Sequence, residues 1–72
     1  MSVEFITSLF YATHLRMPRG QGQWAFIDSQ KASRDDYLKH VFWVNDSLFR
    51  NAKKRATRHF AAKGVRSVVV LP

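Results

Sequence analysis

Apolar residues recur at helical spacing through the second half of the chain. From Ser33 to Lys63, the residues Leu38, Val41, Phe42, Leu48, Phe49, Ala52, Ala56 and Phe60 fall within one arc roughly 120° wide at about 100° per residue, and Asn45 lies inside it. The pattern predicts one long helix over 33–63. Ser33 can open it with Asp36 at the capping-box position, and Asp35 and Asp36 suit the positive end of the dipole. Gly64 closes it as a C′ residue, just after Lys63. A helix of that length would extend about 45 Å, longer than a short sheet can cover. A kink at Asn45-Asp46-Ser47 therefore stays open, as does a break into two helices or a helix-turn-helix.

The flanks read as strands. Val3 to Thr13 is rich in Val, Ile, Phe, Tyr and Thr and carries apolar groups on both faces, which suits a central strand. The stretch His14 to Gln23 contains Pro18, Gly20 and Gly22 and reads as an open, mobile hairpin loop. Trp24 to Asp28 alternates as a second strand, and Val65 to Leu71 as a third. The expectation is an α+β fold of one domain over residues 1–72, with β-β-α-β order. Its three-stranded mixed sheet, in order 2-1-3, has the long helix on one face. The other face would keep uncovered apolar groups, which argues for a homodimer.

Composition sharpens this picture in two ways. The chain has 72 residues, no cysteine, and ten aromatic residues made up of six Phe, two Tyr and two Trp. A chain this short buries only about 60% of its unfolded surface. No disulfide or thiolate chemistry is open to it, and its aromatic content exceeds the needs of one small core, which points to a partner surface. The net charge is +7, unevenly spread. Residues 1–33 hold three basic against two acidic side chains, a net of +1, whereas 34–72 hold nine against three, a net of +6. Such a field favours DNA or RNA, an anionic membrane or an acidic protein. No run reaches the length of a membrane span, and no signal-peptide pattern is present, so a cytoplasmic location is expected.

Candidate contacts follow from the charge. Arg50, Lys54 and Arg58 form an i, i+4, i+8 stripe opposite the apolar arc, with Lys53 and Arg55 on its borders. Seven basic residues lie between Arg50 and Arg66 with no acid among them. Like charges at this spacing repel by a few tenths of a kcal/mol, and phosphates would use them. On a continuous helix Trp43 falls on this basic side, where it could stack on a base or anchor a protein interface; after a kink it would enter the core. Arg16, Arg19, Gln21 and Gln23 interleave with the loop glycines, but the loop is no phosphate-cradling P-loop, since no GKS or GKT follows.

Catalytic, metal or cofactor chemistry has little support. His14, His40 and His59 are far apart, and none has a partner at metal-ligand spacing. His14 with Arg16 and Arg19 is the one cluster that could attempt RNA cleavage. The leading expectation is a nucleic-acid-binding protein acting by occupancy through the basic helix face and the loop. The alternatives are a protein-interaction module docking through an apolar sheet face and Trp43, and a small ribonuclease.

Overall fold

Residues 3–72 are described by the computed structural model. Period-two alternation builds the centre of the sheet. In β2 (Gln21–Asp28), Trp24 and Phe26 face one way and Ala25 and Ile27 the other, and all four are buried. β2 pairs antiparallel with β3 (Phe42–Leu48), Phe26 opposite Phe42 and Trp24 opposite Val44, with a register shift between Gly22 and Trp24. On its other side β2 pairs antiparallel with β4 (Ser67–Val70), and β4 pairs parallel with β1 (Glu4–Ile6). The order is β1-β4-β2-β3. β3 and β4 therefore run in the same direction with β2 between them, a split β-α-β unit closed by α2 (Phe49–Ala61).

The core lies on the α2 side. Ala52, Ala56 and Phe60, on successive turns of α2, meet Trp24, Phe26, Val44, Val68 and Val70 of the sheet. Both alanines are fully buried, and their small side chains let the helix axis come close to the strands. A seven-residue helix, α1 (Ser8–His14), adds Phe10 to the same cluster, where its ring lies 5.8 Å from that of Trp24. Gly64 ends α2 as expected. At φ 75° it carries a Schellman closure, with Val65 N–H donating to the Phe60 carbonyl and Gly64 N–H to the Ala61 carbonyl.

Four strands and two helices correct the expected β-β-α-β fold, and each correction has a physical cause. The apolar spacing that joined 33–48 to 49–61 was coincidental. Phe42, Trp43 and Val44 are β-branched or aromatic and alternate in and out, and Asn45-Asp46-Ser47 are poor helix formers. Residues 42–48 are thus a strand, preceded by a 3-10 turn at Tyr37–His40, and only Phe49–Ala61 is α-helical in this half. Asp36 does not cap a helix through its side chain; its carboxylate accepts from Arg34 Nε at 3.1 Å and meets His40 Nε2 at 3.4 Å.

In the first half, Val3 to Thr13 divides into β1 and α1. The i, i+4 pair Phe10 and His14, rings 4.2 Å apart, favours the helix over the extended chain that β-propensity suggested. The first strand is an edge strand instead of a central one, and the last strand is interior, antiparallel to β2. The second sheet face is not bare either. Ala25, Ile27 and Val69 lie on it and are buried within the single chain, while Trp43 on the same face is exposed.

Leu15 ends α1 with φ 58°, a left-handed conformation, while its side chain is 79% exposed. An L-residue there carries roughly 1–2 kcal/mol of strain, and little packing is lost by removing the side chain. Leu15→Gly is expected to stabilise the fold by roughly 0.5–1 kcal/mol once the greater freedom of glycine in the unfolded chain is subtracted. Urea denaturation at constant m-value checks this.

Candidate nucleic-acid interface

The loop between α1 and β2 is pinned by the fold. Pro18 is buried, and the carbonyl of Gly20, held at φ 80°, accepts the Phe49 N–H at 2.8 Å. Phe49 is the first residue of α2, so this bond satisfies one of the amides a helix start leaves without a partner. It also fixes Arg19 beside Arg50, and the two line one cleft of about 430 Å³ together with Pro18, Leu48 and Phe49.

On the other side of the loop is a second cleft of about 320 Å³. Here Arg16, Arg19 and Gln21 meet Trp43 and His14, with Trp24 also on the wall. Trp43 stands opposite Ala25 in the β2–β3 pair and is 55% exposed. The two tryptophans thus take opposite roles. Trp24 is buried, and its indole N–H donates to the Ser47 carbonyl at 2.9 Å. Trp43 leaves about half of its surface open and shares its cleft with two arginines.

The expected contacts divide between the two sides of the sheet. Arg50, Lys53, Lys54 and Arg58 are exposed on α2, away from its buried alanines. Lys53 is partly engaged, its Nζ lying 5.2 Å from the centre of the Phe5 ring. Trp43 is not on that helix. Its strand neighbour Val44 points into the core under α2, so Trp43 projects from the opposite face, which corrects its expected place beside Arg50 and Lys54. The link between the two sides is Arg19, which lines both clefts.

Sequence reasoning missed one grouping. A pocket of about 220 Å³ between the 3-10 turn and the end of α2 is lined by Lys31, Lys39, His40, His59, Lys63 and Asp28, among others. His40 and His59 stand 19 positions apart on different elements, and no spacing rule joins them. The His59 ring stacks on Phe42, with centroids 4.2 Å apart and planes inclined by 11°. Partial burial, with the Lys63 ammonium nearby, holds its pKa below the ordinary imidazole value. Among the described residues, no group of three or more His, Asp or Glu side chains could hold a metal ion, and no helix is long and apolar enough to cross a membrane.

Comparison of the chain with protein-family models, with curated proteins and with solved structures finds no match.

The depressed His59 pKa makes stability pH-dependent with a definite sign. The unfolded chain takes up a proton at the ordinary value near 6.5, and the folded chain resists it until lower pH. Stability is therefore full above about pH 6.5 and is lost as the pH falls through the folded-state value. The titratable groups lining the pocket with His59 are Lys31, Lys39, His40, Lys63 and Asp28, and of these the Lys63 ammonium adds to the effect of burial. His59→Gln is expected to lose less stability than the parent between pH 7.5 and pH 5, measured by urea denaturation at each pH.

Proposed function

We propose that this protein binds single-stranded nucleic acid by occupancy, with Trp43 stacking on a base and Arg16, Arg19 and Arg50 gripping the adjoining phosphates. The observation that carries this is the position of Arg19 on both clefts. It joins the cationic start of α2 to the one exposed indole, so a strand can pass from the helix face over the loop to the sheet face without leaving positive charge. Arginine forks suit phosphate oxygens, and an exposed indole accepts any base because every base has a π-face. A duplex cannot present an unstacked base to Trp43 without being opened, which is why a single strand fits better.

A protein partner is favoured by a different observation. Leu9, Tyr11, Leu15 and Met17 are all at least half exposed on α1 and just beyond it. They lie outside the lining of the Trp43 cleft, so variants of the cleft separate the two readings. Cleavage of RNA would draw on His14, which lines the cleft with both arginines while its ring rests on Phe10.

Fluorescence anisotropy with labelled single-stranded and duplex oligonucleotides at several salt concentrations tests the proposal. Trp43→Ala is expected to weaken single-strand binding by about 5- to 150-fold, the equivalent of roughly 1–3 kcal/mol for one stacked base. Arg16→Gln with Arg19→Gln is expected to reduce the slope of log K against log salt by about 1.4, two phosphates at about 0.7 each. Undiminished binding by Trp43→Ala would refute it, as would an unchanged salt slope in the double variant. RNA shortened during the incubation would favour the nuclease reading over occupancy.

A further inference from the structure

The pocket at the end of α2 is separate from the surface described above, and it shares no lining residue with the Trp43 cleft. Its three lysines come from different places. Lys63 follows the last turn of α2, where a cation is accounted for by the carbonyl end of the helix dipole. Lys31 and Lys39 arrive from the segment between β2 and β3, and the helix end gives no reason for them. Among the described residues, none of the three has a carboxylate within ion-pair distance, and Asp36 pairs with Arg34 and His40. Asp28 is the one carboxylate on the lining, and its Oδ1 is occupied by the Gln30 backbone N–H at 3.0 Å.

We propose that this pocket binds a dianionic phosphate group, carried either by free phosphate or by the terminal monoester of a larger molecule. Three lysine ammonium groups offer point charges that the oxygens of a tetrahedral dianion can meet from several sides. The pocket holds about 220 Å³, below the roughly 300–1,000 Å³ of sites for drug-sized ligands. That is room for one small group. His59 adds a ring nitrogen at the wall, whereas His40 Nε2 is turned to Asp36, and His59 can take up a proton without losing its packing, since a cationic ring lying flat on Phe42 gains attraction to the π-face. A bound dianion opposes the Lys63 charge that disfavours protonation, so binding and proton uptake at His59 are coupled.

The experiment follows the imidazole C–H resonances of all three histidines by NMR against pH. The probes are inorganic phosphate, with chloride at the same ionic strength as reference, and one oligonucleotide in 5′-phosphorylated and 5′-hydroxyl forms. Inorganic phosphate is expected to raise the His59 midpoint by about one unit or more. Lys39→Gln with Lys63→Gln removes two exposed cations and is expected to raise the phosphate concentration needed by roughly tenfold or more. Arg16→Gln with Arg19→Gln removes the same charge elsewhere and should leave the His59 response in place, whatever becomes of strand binding. A response to the phosphorylated oligonucleotide but not the hydroxyl form supports the proposal and identifies a strand end. A response to inorganic phosphate alone supports it with free phosphate as the ligand. A His59 midpoint unmoved by every phosphate overturns it. So does equal weakening in the two double variants, which would mark diffuse attraction to a basic chain.

Discussion

Trp24 is the contact on which the rest of the structure depends. Its buried ring touches Phe10 of α1 and Phe49 of α2, at 5.8 Å and 4.8 Å between centroids, and its N–H closes on the Ser47 carbonyl of β3. One side chain thus ties both helices and the edge strand to β2. A chain of 72 residues without disulfides has few alternatives. An indole buries a large apolar area, and its one donor must find an acceptor when buried; here that acceptor lies just where the β2–β3 register shifts. The same ring forms part of the wall of the Trp43 cleft, so the packing that holds the fold also shapes the candidate site.

The second constraint is the passage from β3 to α2 without a loop. Leu48 is extended and Phe49 already helical, so the α2 start lies at the sheet edge and needs an acceptor for its first amide. Gly20 supplies it from the α1–β2 loop. That bond brings Arg19 to the same cleft as Arg50, and so the loop cations to a helix that carries five of its own from Arg50 to Arg58. Charge concentration here is a consequence of topology as much as of composition. Repulsion among these groups is tolerable in the free protein because all are exposed and screened, and a polyanion would relieve it.

Some of this was legible in the sequence. The buried face of α2 was readable from Ala52, Ala56 and Phe60, and its end from Gly64, because helical period and glycine at φ 75° are local signals. The strand around Trp24 to Asp28 was readable from alternation. What failed was the distinction of periods where they overlap. Leu38, Val41, Phe42 and Leu48 satisfy a 3.6-residue spacing, yet Phe42, Trp43 and Val44 also alternate, and pairing with β2 decides for the strand. Likewise nothing local separates β1 from α1, since Phe10 becomes helical to reach Trp24, 14 positions on. The loop arginines, Gln21 and Trp43 were each singled out from the sequence. Their meeting in one cleft depends on the β2–β3 register, and the pocket uniting His40 and His59 depends on the return of the chain through the 3-10 turn, neither of which spacing encodes.

We propose that the two tryptophans are divided, Trp24 holding the fold and Trp43 meeting the ligand. Tryptophan fluorescence of Trp43→Phe, which retains only Trp24, tests this most directly when titrated with an unlabelled single-stranded oligonucleotide and compared with Trp24→Phe. Trp24 is expected to give blue-shifted emission that saturating oligonucleotide leaves unquenched, and Trp43 red-shifted emission that is strongly quenched. Quenching that persists at full amplitude in Trp43→Phe would contradict it, because the base would then be stacking elsewhere than on the exposed indole.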